Sequence, residues 1–133
     1  MNERPLYATD THSLLWYLYA PSKLGVAAAV AFDRVAHGEA DLIVPVIVIA
    51  EIIFIVEANR VPADVGEIVT RLRASPNVRI IPLSVERTLD LRKATVIPEM
   101  HDRMIVCEAL AYGAILITKD ETITRSGLVP TVW

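Results

Sequence analysis

Leu42–Ala58 reads LIVPVIVIAEIIFIVEA, and the choice of fold turns on this run. It is almost wholly aliphatic, yet Glu51 sits near its middle and Pro45 divides it. A membrane-spanning helix needs about 20 predominantly apolar residues. This run is shorter and is flanked by Asp41 and bounded by Glu57, so no membrane is expected as a partner. It reads instead as a strand, Asp41–Val44, that turns at Pro45 into a helix from about Val46 to Ala58. A strand apolar at every position after its first is buried on both faces, as in a parallel sheet. A helix apolar nearly all round is expected to be buried as well.

Working outward, Leu6–Thr9 reads as a first strand. A helix starts at Asp10-Thr11 and runs through Ala20, with Leu14, Leu15 and Leu18 on one face. Pro21-Ser22 breaks it, and Ser22 is placed to cap a second helix to about His37, which Gly38 ends. Pro62 starts a helix that carries Val65, Ile68, Val69 and Leu72 and stops at Ser75-Pro76. Val78–Pro82 is a third strand, and Ser84 caps a helix through about Lys93. After a loop at Thr95–His101, Asp102–Tyr112 is a helix with Ile105, Val106, Ala109 and Leu110 as its core stripe. Gly113 is its natural stop, because glycine takes the left-handed position past a helix end without strain. Ala114–Ile117 is a fourth strand. Thr118 and Glu121 have capping-box spacing for a short helix ending at Gly127, and Pro130–Trp133 is a candidate edge strand.

Strands that alternate with helices predict an α/β domain with a mostly parallel central sheet of four to five strands, flanked by helices. The 133 residues suit one domain spanning 1–133, and no repeat or linker suggests a second. Hydrophobic residues make up 53% and aromatics 6%, so aliphatic side chains must fill the core. The net charge of −3 counts against simple coating of nucleic acid, which usually needs a basic balance. It does not exclude a nuclease, whose metal site adds acids to the count. Cys107 is the only cysteine, which fits a reducing cytoplasm. The polar start at Met1–Pro5, followed by Asp10, gives no expectation of a signal peptide.

Four acids carry the chemistry. Asp10 follows the first strand and Asp120 the fourth. In a parallel sheet all strand C-termini lie on one edge, where ligands bind at the point of strand-order reversal. Each aspartate alone is also a good helix cap. Glu51 lies in the apolar helix, where a carboxylate is costly unless paired or bound to a metal; Arg103 is a candidate partner. Asp102 opens a helix that leads through Gly113 into the fourth strand, so that helix begins at the same sheet edge. Carboxylates gathered there repel one another without a cation, and oxygen ligands suit Mg²⁺ or Mn²⁺. Such an ion holds a phosphate and activates a water, so phosphodiester hydrolysis is the expected reaction. Thr11 and Thr118 are candidate donors to the acids, and Arg103 and Lys119 candidate phosphate contacts. His12, His101 and Glu99 lie near the acids without an assigned role. No Gly-rich phosphate loop, CxxC or HExxH is present.

At these residues the chain resembles the PIN domain family, and within it the VapC-type toxins. The resemblance covers the whole chain and rests on DTHSLLWYL with Asp10, VPVIVIAEI with Glu51, PEMHDRMIVCEAL with Asp102 and GAILITKDETI with Asp120. It implies a Mg²⁺-dependent endoribonuclease whose metal site is formed by these four acids, with Thr118 as the small hydroxyl residue before the last of them. It also implies a homodimer, RNA as substrate and a cognate antitoxin as partner. A receiver domain or a haloacid-dehalogenase-like phosphatase also places an aspartate after its first strand. The first expects a further acidic pair nearby and the second an aspartate at the position His12 occupies. Two readings stay open beside the toxin: a PIN-like nuclease of RNA processing, and an inactive module that binds a partner.

Overall fold

The computed structural model describes residues 4–133; most of the polar start read at Met1–Pro5 lies outside them. The chain begins with β1 (Leu6–Thr9), α1 (Thr11–Tyr19) and α2 (Val26–Ala36). It continues through β2 (Asp41–Pro45), α3 (Val46–Glu57), α4 (Val65–Ala74), β3 (Val78–Ile81) and α5 (Val85–Asp90). It closes with α6 (Met100–Tyr112), β4 (Ile115–Ile117), α7 (Glu121–Ser126) and β5 (Thr131–Val132). The strands form one sheet in the order β3-β2-β1-β4-β5, and every pairing is parallel.

This order has a direct consequence. The chain builds outward from β1 to β2 and β3, then returns to the other side of β1 with β4 and β5. The reversal therefore lies between β1 and β4, where Thr9 stands beside Ile117 and the Asp10 amide donates to the Ile117 carbonyl at 3.3 Å. A crevice opens beyond the strand ends at such a point.

The central strands are buried as expected: Ala8, Ile43, Val44, Leu116 and Ile117 are all at most 1% exposed. Leu14 and Leu15 of α1, Val48 and Ile52 of α3, Ile68 of α4 and Ile105 and Val106 of α6 complete the core. Full burial of one such side chain stabilises the fold by about 1.5–3 kcal/mol.

Several local expectations are corrected. Ser22 caps nothing; Pro21–Lys23 forms a 3₁₀ turn and α2 starts after Gly25. Pro62 does not begin α4, whose cap is Asp64, accepting from the Glu67 amide at 3.1 Å. Ser84 does cap α5, but the α-helix ends at Asp90 and continues only as a 3₁₀ turn, Leu91–Lys93. The capping box read from Thr118 and Glu121 is absent: Asp120 caps α7. Asp102 does not open α6, since Glu99 is its cap. Gly113 does end α6, at φ +64°.

The largest correction is α3. Only one stripe of it is covered, by α1, α4 and α6, with Val48 and Ile52 buried. Ile53 is 40% exposed and Phe54 72%, because a helix apolar all round exceeds what one small sheet can cover. Among the described residues no helix is long and apolar enough to cross a membrane.

One buried charge escaped the sequence reading. Glu108 of α6 keeps only 4% of its side chain in water and accepts from Arg87 Nε of α5 at 2.9 Å. Arg87 also reaches Asp90 at 2.7 Å. These hydrogen bonds, the one to Glu108 foremost, hold the guanidinium above its ordinary pKa against the opposing effect of burial.

Candidate active site

Asp10 leaves β1 in an extended conformation and caps α1. One carboxylate oxygen accepts from the Ser13 amide at 2.9 Å. The other accepts from the Thr118 hydroxyl at 2.6 Å. Asp120 repeats the arrangement after β4: Oδ1 accepts from the Ile123 amide at 2.9 Å, and its own amide donates to Thr118 Oγ1 at 3.1 Å. Thr118 is 1% exposed. A single buried hydroxyl thus ties the two post-strand aspartates together across the β1–β4 reversal. Both aspartates cap a helix and both line the same cleft.

Glu51 enters from the second turn of α3. Thr11, 4% exposed, donates its hydroxyl to Glu51 Oε1 at 2.5 Å. The ion pair with Arg103 is not formed. Arg103 Nε donates to the Ile97 carbonyl at 2.8 Å, and the residue does not line the cleft. Glu51 is also less buried than its helix suggested, with 27% of its side chain in water.

Asp102 sits in the first turn of α6. Its amide is held by Glu99 Oε2 at 2.6 Å, and Glu99 Oε1 bonds His101 Nδ1 at 2.5 Å. His101 Nδ1 stands 4.0 Å from Glu51. Burial resists ionisation of Glu99, but the Asp102 amide and His101 bonds leave its pKa below the ordinary value. The bond to Glu99 raises that of His101, against the effect of burial.

Asp10, Glu51, Asp102 and Asp120 all line one cleft of about 590 Å³, together with Glu99. Its rim includes His12, Trp16 and Lys119. Among the described residues no group of three or more Asp, Glu, His or Cys side chains stands close enough together, as placed, to hold a metal ion. The crowding of these acids is visible at Asp102. Burial first, and then the charges of Glu99, Asp120, Glu51 and Asp10, push the Asp102 carboxyl up to about 6. A proton on Asp102 or a bound cation would relieve the repulsion in such a cluster. The donors are hard oxygens, apart from His101, which suits Mg²⁺ or Mn²⁺. Ser13 Oγ, buried in the same cleft, has no hydrogen-bond partner and adds a further oxygen that a bound group could satisfy.

The sequence reading left Glu99 unassigned. Glutamate is not among the residues favoured at a helix cap, so only its place directly after Pro98 and three positions before Asp102 hinted at the role. Trp16 also lines the cleft, a position no local pattern in the sequence marks.

Comparison with known proteins follows the same outline. No curated protein matches the chain. Among solved structures, the crystal structure of VapBC2 from Rickettsia felis bound to a DNA fragment from their promoter contains a similar chain. The two share 16% sequence identity at a TM-score of 0.72, over 96% of this chain and 97% of that one. Such a likeness at low identity concerns the fold. The sequence itself matches the PIN domain over residues 7–127, a span that begins in β1 and ends just past α7, and on that ground the chain belongs to the PIN domain family.

Proposed function

We propose that this chain is a metal-dependent endoribonuclease, the toxin of a type II toxin–antitoxin pair. The observation that carries this reading is the convergence of Asp10, Glu51, Asp102 and Asp120 on one cleft at the β1–β4 reversal. Membership of the PIN family supports a nuclease that uses a divalent cation. The solved neighbour, named as VapBC2 on promoter DNA, supports an antitoxin partner.

In this reading the four acids hold Mg²⁺ or Mn²⁺. When bound, the cation offsets phosphate charge and lowers the pKa of a water for in-line attack. Thr118 fixes the orientation of the Asp10 carboxylate and the turn that carries Asp120. Thr11 does the same for Glu51. Lys119, on the rim, offers a cation to a phosphate of the substrate. The reaction needs no Ser, Cys or His nucleophile. Incubation with total cellular RNA and Mg²⁺ is expected to give discrete fragments, and a chelator is expected to stop their appearance. Intact RNA in the presence of either divalent ion overturns the reading.

A pH dependence follows from Asp102. Its folded-state pKa, about 6, lies above the ordinary 3.8, so ionising it costs the metal-free fold. That cost is absent below the ordinary value and complete above about 6. Cation binding must displace the proton at low pH and relieves repulsion at neutral pH. Saturating Mg²⁺ is expected to raise the Tm of metal-free protein by about 5 °C near neutral pH, and far less at about pH 5. A thermal scan with equal shifts at both pH values contradicts it.

The exposed apolar side of α3 bears on assembly. Ile53 and Phe54 give a second copy a surface to cover. A homodimer is expected, and Phe54→Asp is expected to yield monomer in light scattering at micromolar concentration. A wild-type chain that is already monomeric there removes this part of the proposal.

A further inference from the structure

Trp16 and Trp133 are the only tryptophans in the chain, and they meet beside the acidic cleft. Their rings touch edge to face, with centroids 5.7 Å apart. His12 lies against Trp16 at the same centroid distance. Two lysines converge on the Trp16 ring: Lys119 Nζ at 5.9 Å and Lys23 Nζ at 6.0 Å from its centre. Both lysines are exposed, and neither pairs with a carboxylate among the described residues, in a chain of net charge −3.

The cluster is held in place. The Ala27 amide donates to the Trp133 carbonyl at 3.1 Å. Gly25 gives Trp133 its seat, because a Cβ there would stand 2.5 Å from the Trp133 backbone and 2.7 Å from its ring. Trp133 also lines a second groove of about 470 Å³, with Thr124, Arg125 and Thr131. That groove shares Lys119 and Glu121 with the acidic cleft. The two depressions therefore abut at Lys119, with Trp16 on the rim of the first and Trp133 on the wall of the second.

We infer that this tryptophan–lysine cluster and the groove behind it form an extended subsite for the RNA strand beyond the phosphate that is cut. The inference deepens the nuclease reading and rests on it. Aromatic rings stack on unpaired bases, and lysines hold the intervening phosphates, which is the chemistry of single-strand tracks. The acids repel a polyanion, so the cations that admit the strand must stand beside the cleft rather than in it. Lys23 and Arg125 are so placed, and Lys119 stands where the two depressions meet. Arg125 is partly engaged by Glu121 at 3.1 Å, a pair largely open to solvent.

The two tryptophans also supply the test, since emission excited at the red edge, where tyrosine does not absorb, reports on this cluster alone. The probe is a single-stranded oligoribonucleotide of mixed sequence, titrated into Asp10→Asn protein with Mg²⁺ so that it is not consumed. Binding is followed both by tryptophan emission and by anisotropy of a label on the RNA. The expected result is saturable quenching that tracks the anisotropy, and an affinity about tenfold weaker in Lys23→Glu. Lys23 is exposed, so its reversal leaves the fold intact. Trp133→Phe isolates the Trp16 signal, which is expected to be quenched as well. Three results overturn the inference: RNA binding without change in emission, equal affinity in Lys23→Glu, or no binding by either probe. Cleavage of the same oligonucleotide by the wild-type chain is scored separately, so loss of the subsite and loss of the nuclease reading give different outcomes.

Discussion

Asp10→Asn is expected to reduce RNA cleavage about a thousandfold or more, which corresponds to about 4 kcal/mol of transition-state stabilisation, without loss of the fold. Asparagine caps a helix about as well as aspartate, so its carbonyl oxygen can keep the bond from the Ser13 amide. Its amide nitrogen can donate to Thr118 Oγ, where Asp10 now accepts, with the hydroxyl turned to suit. What is lost is a charge in a cluster whose repulsion is already visible at Asp102. The melting temperature is therefore expected to hold or rise slightly in metal-free protein. Circular dichroism and a cleavage assay on the same preparation check both halves. Wild-type activity in Asp10→Asn, with contaminating nuclease excluded, would falsify the proposed site.

The second large effect concerns stability. Arg87→Met is expected to lower the unfolding free energy by about 3 kcal/mol, the low end of the cost of breaking a buried ion pair. The low end applies because 20% of the Arg87 side chain is in water. The substitution leaves the Glu108 carboxylate buried between α5 and α6 without its cation. Arg87→Met combined with Glu108→Leu is expected to recover most of the loss, since two apolar side chains can pack where the pair stood. Urea titration measures both, as a midpoint shift at unchanged slope. A double variant no more stable than the single one shows that the cost arises elsewhere, for instance in the Arg87–Asp90 contact.

The parts of this molecule legible in its sequence are those governed by local rules. LIV at Leu42–Val44, set between Asp41 and Pro45, reads as an interior strand and forms one, and Gly113 adopts the left-handed turn its position demanded. The acids after β1 and β4 share a cleft because parallel strands end on one edge. The misses arise where two residues compete for one task. Thr118 and Asp120 both suit a cap, and the buried hydroxyl went to tie the aspartates together. Glu99 and Asp102 both suit the start of α6, and Glu99 took the cap. Ser22 lost its place because Pro21 opens a tighter turn. For α3, composition gave the apolar surface but not how much of it the sheet and its neighbours cover. Nothing local marks Glu108 as buried; its burial follows from α5 bringing Arg87 over it.

The order of the strands sets a schedule. Asp10 and Glu51 are synthesised early, and β1, β2 and β3 can pair while the chain is still growing. The fourth strand is the piece that occupies the open side of β1, and only then does Thr118 reach Asp10. At about 5–20 residues per second, the stretch from the end of β3 to Asp120 takes several seconds to emerge. A half-made chain on the ribosome therefore holds an unpaired β1 edge and two of the four acids, and on the proposed reading is expected to cut nothing. A fragment ending before Ile115 lacks β4, Thr118 and Asp120, and on the same reading it is expected to stay silent until the last crossover is supplied.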